Sequence, residues 1–357
     1  MGLFKDMLKS DETLFRDEIA LDYDFLPKLL PYREKEQFYL ASCIKPLLQK
    51  RTGKNLLIHG PPGVGKTAAA RFVLRDLENE TDEVVPIYIN CWKKNTCSKI
   101  IHDISEQLEF KFIQNKTKEE LFDMIKKELN KISVVFVLDE VDKLEDYDFL
   151  YLILEEIYRK TIVLITNYRK WLLDLDERVR SRLTAEVKEF KAYNAEETKG
   201  ILKQRLSYAF VSNVWDDGAF ELAAVKAAEL NDIRSGLYLL KESGLAAEAE
   251  SSKKIIPEHV KKAIQKLDEY HVKQSNDLED ETKQILDLIK TNNIKKIGEL
   301  FDMYIVSGGS LSYKSFQRRI SNLEKGKFIT VTKTQGGDEG NTSIIKYNKP
   351  AKKLTEF

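Results

Sequence analysis

Residues 60–67 read Gly-Pro-Pro-Gly-Val-Gly-Lys-Thr, the spacing of a loop that cradles phosphate. Glycine at 63 and 65 lets the backbone curl so that successive N–H groups point inward at phosphate oxygens. The helix that follows adds the partial positive charge of its N-terminus. Lys66 can then reach the β- and γ-phosphates, and the Thr67 hydroxyl can ligate Mg²⁺. Gly60, Pro61, Pro62, Val64 and Ala68 complete the cradle. A glycine-rich turn matching by chance is the competing reading. Against it, the apolar run Asn55–His59 reads as a buried strand, and Ala68–Leu77 is rich in helix formers, the context a phosphate loop requires. The loop implies ATP or ADP with Mg²⁺.

A second group of residues completes this chemistry. Val134–Leu138 is an apolar run ending in Asp139 and Glu140. Acids at the C-terminal end of a buried strand emerge at the sheet edge where the phosphate loop opens. Asp139, with Thr67, is the candidate Mg²⁺ partner, and Glu140 the base that orients and deprotonates water. The bland alternative is two acids capping the next helix. Asn167 ends the following strand, Thr161–Thr166, where an amide can sense the γ-phosphate. Arg178-Val179-Arg180-Ser181-Arg182 supplies guanidinium groups of the kind that neutralise charge on a transferring phosphoryl group, in trans if a neighbouring subunit donates them. Arg178 is the first candidate and Arg182 the second; Arg180 reads as a surface or polyanion contact, and a basic helix face is the competing reading for all three. Arg234 opens a helix after Asn231-Asp232-Ile233 and is placed to report nucleotide state as a domain angle.

These residues need a scaffold. Asn55–His59, Val84–Ile89, Val134–Leu138, Thr161–Thr166 and Glu186–Phe190 alternate with helical stretches, which predicts a three-layer α/β domain with a mostly parallel sheet over residues 1–190. Strands then stop: Ala195–Phe210, Asp217–Leu230, Ile233–Ala249 and Pro257–Tyr270 read as a small helical domain, residues 191–270. The polar stretch 271–281 reads as a linker. Within 282–357, helices Glu281–Lys290, Ile294–Tyr304 and Tyr313–Lys325 precede candidate strands Phe328–Lys333 and Ser343–Tyr347, the pattern of a winged helix.

Length, at 357 residues, allows two or three such domains. No run approaches the roughly 18 apolar residues needed to span a bilayer. Acids at 6, 11, 12, 17 and 18 and the lack of an apolar signal core argue against secretion. Cys43, Cys91 and Cys97 lack metal-like spacing and fit a reduced, cytoplasmic setting. Net charge is zero, yet residues 281–357 carry 14 Lys and Arg against 8 Asp and Glu, a net of +6. A basic module on an acidic body points to a polyanion partner, with a solvated lysine-rich surface as the alternative.

Taken in order, the phosphate loop, Asp139-Glu140, Asn167, the Arg178–Arg182 stretch and Arg234 resemble an AAA+ ATPase. Leu30-Pro31-Tyr32-Arg33-Glu34, Ile89-Asn90-Cys91 with Trp92–Leu108, and Tyr193-Asn194-Ala195-Glu196-Glu197 narrow the resemblance to archaeal-type origin recognition complex and cell division control replication initiators. The similarity spans about residues 15–347. It implies a P-loop AAA+ domain with a parallel sheet, a helical lid and a C-terminal winged helix. It further implies a slow ATP-switched protein that binds double-stranded origin DNA, helps load the replicative helicase, and assembles as a homo- or hetero-oligomer through an arginine finger. By that resemblance Leu30, Pro31, Arg33, Tyr193 and Arg205 surround the nucleotide. Trp92–Leu108 corresponds to an extra initiator helix. Asn231-Asp232 stands where the family usually has Gly-Asp, and Asp338 and Glu339 stand in a wing that usually carries arginines.

DNA contacts follow from residue chemistry. Helix 313–325 presents Tyr313, Lys314, Gln317, Arg318 and Arg319, of which Arg and Gln can pair with guanine or adenine edges. Phe316, Ile320 and Leu323 fall at core spacing. Lys93, Lys94 and Lys99 are candidates for backbone phosphates. The alternative class is a remodelling or defence-type ATPase whose winged helix binds a protein.

Overall fold

The computed structural model describes residues 13–348 except 112, 115, 277–279, 293, 310, 326–327 and 335–341. It divides into one unit ending at Val260 and a second beginning at Lys261.

The first unit alternates strands and helices: α1 (Glu34–Leu48), β1 (Leu56–His59), α2 (Lys66–Glu80), β2 (Val84–Asn90), α3 (Cys97–Gln107), α4 (Lys118–Leu129), β3 (Ser133–Asp139), α5 (Asp148–Glu156), β4 (Lys160–Thr166), α6 (Trp171–Asp174), α7 (Glu177–Leu183) and β5 (Glu186–Glu189). The five strands form a parallel sheet in the order β2-β3-β4-β1-β5. Every residue of β1, β3 and β4 is buried. Helices cover both faces of such a sheet, so these strands read as unbroken apolar runs. One core packs Leu57, Phe136, Leu138, Ile162 and Leu164 against α3, α4 and α5; the other packs Ile58, Val135, Val137, Val163 and Ile165 against α1 and α2. Burying each of these side chains stabilises the fold by roughly 1.5–3 kcal/mol. Strand order decides the chemistry. Because β4 lies between β1 and β3, the phosphate loop after β1 and the acids after β3 flank the end of β4.

The first unit continues as a helical lid, α8 (Ala195–Ala209), α9 (Asp217–Leu230) and α10 (Ile233–Ala249), and the boundary between the units falls within α11 (Pro257–Asn276). Asn194 and Glu197 form a reciprocal capping box at the start of α8, which satisfies two backbone donors at once. Asn231 ends α9 in the left-handed region at φ 51°. Asn tolerates that conformation better than most side chains with a Cβ, so Asn231 makes the turn without glycine.

The second unit contains α12 (Asp280–Asn292), β6 (Ile294–Lys296), α13 (Ile297–Val306), α14 (Tyr313–Lys325), β7 (Ile329–Thr334) and β8 (Thr342–Tyr347). The strands pair antiparallel in the order β6-β8-β7, a winged helix built around Leu286, Ile289, Leu300, Phe316, Ile320 and Ile345.

Three sequence expectations change. Residues 271–276 continue α11 and 280–281 begin α12, so the described part of the acidic stretch is helical; Lys273, Gln274 and Glu281 are good helix formers, and no Pro or Gly interrupts the stretch. Ile294–Lys296 is a strand and the helix starts only at Ile297, because pairing with Ile344–Lys346 overrides local preference. The initiator-type helix begins at Cys97, capped by the Thr96 side chain, and leaves Trp92 and Lys93 in a turn. The wing acids Asp338 and Glu339 lie outside the described residues.

Candidate functional site

The ends of β1, β4 and β3 bring together the residues singled out by spacing. Gly63 and Gly65 take positive φ, 77° and 85°, at little cost for glycine. The space a side chain would fill is used: a Cβ on Gly65 would lie 2.5 Å from the Tyr193 hydroxyl, and one on Gly63 2.2 Å from Asp232 Oδ1. Lys66 is 7% exposed. Its Nζ donates to the carbonyls of Gly60 at 2.8 Å and Pro61 at 2.7 Å, and to Asn167 Oδ1 at 2.8 Å. Burial lowers its pKa to about 8, partly offset by Asp139, and the nearby Arg234 lowers it further. A desolvated cation held by neutral dipoles favours an anion beside it, and phosphate fits that need.

Thr67 Oγ1 donates to Asp139 Oδ2 at 2.6 Å. Asp139 is 2% exposed, and its other oxygen accepts the Glu140 N–H at 2.9 Å. A hydroxyl beside a buried carboxylate suits Mg²⁺, which takes a few protein oxygens and completes its octahedron with water and phosphate. Among the described residues no group of three His, Cys, Asp or Glu side chains offers an all-protein metal cage. Glu140 sits in the left-handed region at φ 54°, a strain of about 1–3 kcal/mol for a non-glycine residue. Burial first, then Asp139 and Asp142, push its carboxyl above the ordinary range, the direction that suits a base. Asp142 accepts from Thr166 Oγ1 at 2.8 Å and pairs with Lys143 at 3.0 Å.

Leu30, Pro31, Pro62, Ala68, Tyr193, Arg205 and Arg234 line the same cleft with Gly63, Gly65, Lys66, Thr67, Asp139, Glu140 and Asn167. Asp232 caps α10 by accepting the Arg234 N–H at 3.0 Å. Gly60 and Pro61 contribute the carbonyls that hold Lys66 rather than wall. Val64 is buried in the core.

The arginines behave differently from one another. Arg33, expected to enclose adenine, is buried outside the lining. Its Nε donates to the Val64 carbonyl at 3.0 Å and its other arm to the Lys191 carbonyl at 2.6 Å, beneath Tyr193, whose ring lies 3.8 Å away. It clamps the phosphate loop because a buried guanidinium must find acceptors for its donors. Arg205 donates to the Ala20 and Phe25 carbonyls at 3.0 and 2.9 Å, and burial lowers its pKa to about 10. It holds the segment that carries Tyr23 and Pro27 into the cleft wall. Arg178 and Arg182 do not reach this cleft in their own chain: Arg178 is exposed and pairs with Asp176 at 3.1 Å, and Arg182 pairs with Glu155.

Residues missed by spacing are Tyr88, Tyr23, Pro27 and Gln204. Tyr88 OH donates to Asp139 Oδ2 at 2.8 Å. Its only trace in sequence is a polar-tipped ring two residues before the end of an apolar strand.

On the second unit, Tyr313, Lys314, Gln317 and Arg318 are exposed on α14, whereas Arg319 is half-buried. Tyr313 also packs edge-on against Phe301 at 5.0 Å. Phe316, Ile320 and Leu323 are core. In the first unit Lys93 and Lys99 are exposed; Lys94 pairs with Asp103 at 3.0 Å, and Lys99 Nζ donates to Asn95 at 2.7 Å. No helix among the described residues is long and apolar enough to cross a membrane.

A family model described as an AAA domain matches residues 49–168, and one described as a Cdc6 AAA+ ATPase-type lid domain matches residues 199–265. ORC1-type DNA replication protein 1 of Archaeoglobus fulgidus is 33% identical over 344 residues, covering 90% of this chain and 84% of that protein. ORC1-type DNA replication protein 2 of Methanosarcina acetivorans is 31% identical, with 96% of this chain and 95% of that protein covered. The structure of the Aeropyrum pernix ORC1 protein in complex with DNA superposes with a TM-score of 0.68 at 28% identity, covering 95% of each chain. Identity at this level along nine-tenths of the sequence, over an ATPase core and lid of matching kind, leads to one assignment: the chain belongs to the ORC1-type DNA replication proteins, initiators of the AAA+ ATPase class.

Proposed function

We propose that this protein is an ATP-governed switch that binds double-stranded origin DNA and helps recruit or load the replicative helicase. The observation that carries the reading is the convergence of Lys66, Asn167, Thr67 and Asp139 with lid residue Arg234 at one cleft. A γ-phosphate beside Lys66 and Asn167 would meet Arg234 only when the lid is closed, so triphosphate and diphosphate favour different lid angles. Bound Mg²⁺ would neutralise phosphate charge next to Thr67 and Asp139. Glu140 accepts the proton of the attacking water, and its raised pKa brings it nearer the working pH. Arg178 and Arg182, exposed and paired with Asp176 and Glu155, are available to a neighbouring subunit's cleft; turnover is slow until such a contact forms.

Tyr313, Lys314, Gln317 and Arg318 form the duplex-reading face, with Lys93 and Lys99 as additional phosphate contacts. The test is fluorescence anisotropy on duplex DNA across a salt series with ATP or ADP bound. Affinity should fall steeply with salt and differ between nucleotides. Absence of DNA binding at low salt, or identical curves with both nucleotides, overturns the switch.

A further inference from the structure

The Asp139 carboxylate is held by a residue that the phosphate-loop and acid motifs leave out. Its Oδ2 accepts two hydroxyl protons, from Thr67 Oγ1 at 2.6 Å and from Tyr88 OH at 2.8 Å, while Oδ1 accepts the Glu140 N–H at 2.9 Å. Tyr88 reaches it because β2 and β3 run parallel with Tyr88 opposite Val137 and Asn90 opposite Asp139. Side chains alternate along a strand, so Tyr88 and Asp139 emerge on one face. That face meets α2, where Thr67 and Arg71 stand one turn apart. Thr67 meets Asp139, and the Arg71 guanidinium lies 4.6 Å from the centre of the Tyr88 ring.

We propose that Tyr88 is a positioning residue for the Mg²⁺ partner Asp139: its neutral phenol fixes the plane of the carboxylate so that metal arrives at a preset oxygen. This inference rests on the reading of the cleft as a Mg²⁺-nucleotide site. Thr67 and the Glu140 N–H belong to the loop and strand end themselves, whereas Tyr88 is anchored on a neighbouring strand. It adds a second hydroxyl donor to Oδ2 from a separate element of the fold. Groups that orient a metal partner are commonly worth ten- to a hundredfold in metal affinity.

The experiment measures binding of a fluorescent ATP analogue to the full chain as a function of Mg²⁺, and separately in EDTA, for the parent, Tyr88→Phe and Arg71→Met. The expected result is that Tyr88→Phe raises the half-saturating Mg²⁺ concentration about tenfold and leaves affinity in EDTA within about twofold, since no phosphate contact is lost. Arg71→Met keeps the hydroxyl and should leave the Mg²⁺ midpoint within about twofold of the parent. Should Tyr88→Phe not fold, Tyr88→Met, which fills space flexibly, carries the same expectation. A Tyr88→Phe midpoint equal to the parent's overturns the inference. So does a matching loss in EDTA, or an equal shift in Arg71→Met, because either would assign the effect to packing. A parent protein whose nucleotide affinity ignores Mg²⁺ would instead remove the metal-site reading on which the inference stands.

Discussion

The nucleotide cleft and the exposed face of α14 handle charge in opposite ways. In the cleft Lys66 is 7% exposed and Asp139 2% exposed, and their polar atoms meet partners at 2.6–2.9 Å. On α14, Lys314, Gln317 and Arg318 stand in solvent above a buried row of Phe316, Ile320 and Leu323. Desolvated groups interact strongly and demand fixed geometry; solvated cations interact weakly, are screened by salt, and act in sum. The first arrangement suits chemistry on one phosphate chain, the second suits a polymer of phosphates. Each charged residue in the cleft should therefore matter far more than each exposed residue on the helix.

The largest expected effect is at Glu140. Glu140→Gln should lower ATP turnover by about 10²- to 10⁴-fold while nucleotide affinity stays within a few-fold, measured by single-turnover hydrolysis and equilibrium binding. Turnover at the parental rate would show that Glu140 is not the base. Lys66→Ala should weaken nucleotide binding by about 100-fold, read by titration calorimetry.

Protonation of Lys66 sharpens the contrast. With a pKa near 8 in the empty protein, about a tenth of the side chain remains cationic at pH 9, so ATP affinity should be about tenfold weaker there than at pH 7. For stability the sign is the reverse. The folded pKa lies below the value of 10.5 for free lysine, so the buried cation destabilises the empty fold fully below pH 8, and that penalty is relieved as pH rises from 8 toward 10.5. Lys66→Met should accordingly raise the thermal midpoint of the nucleotide-free protein at neutral pH, and a lowered midpoint would contradict this.

Effects of single exposed residues on α14 should be smaller. Lys314→Ala and Arg318→Ala should each reduce the slope of log affinity for duplex DNA against log salt by about 1, whereas Phe316→Ala should cost about 3–5 kcal/mol of stability through its cavity. An unchanged slope in both charge variants would place the DNA contact elsewhere. Smallest is Asp232→Ala, which removes the cap of α10 and should cost about 1 kcal/mol, checked by chemical denaturation.

How much of this was legible before the structure depends on how local the cause is. The octet 60–67 and the run 134–140 carry their geometry in their own backbone requirements: glycine where φ is positive, β-branched residues where a strand is buried, acids where it ends. Periodicity likewise separated Phe316, Ile320 and Leu323 from the exposed residues of α14. The departures have mixed origins. Ile294–Lys296 became a strand only because β8 lies alongside to pair with it, and the stretch 271–276 stayed helical because nothing in it breaks a helix. No local signal could show that Arg33 turns to the Val64 and Lys191 carbonyls, since its acceptors come from two distant loops.

Residue order thus settled which groups exist and which local turn each can make, because those depend on neighbours along the chain. Folding alone decided which oxygen meets which proton. Asn167 falls between Lys66 and the acids because β4 inserts between β1 and β3, and Tyr88 reaches Asp139 because β2 and β3 share one register. Such matches are set by strand order and parallel alignment, and those follow from packing the whole sheet between its helices.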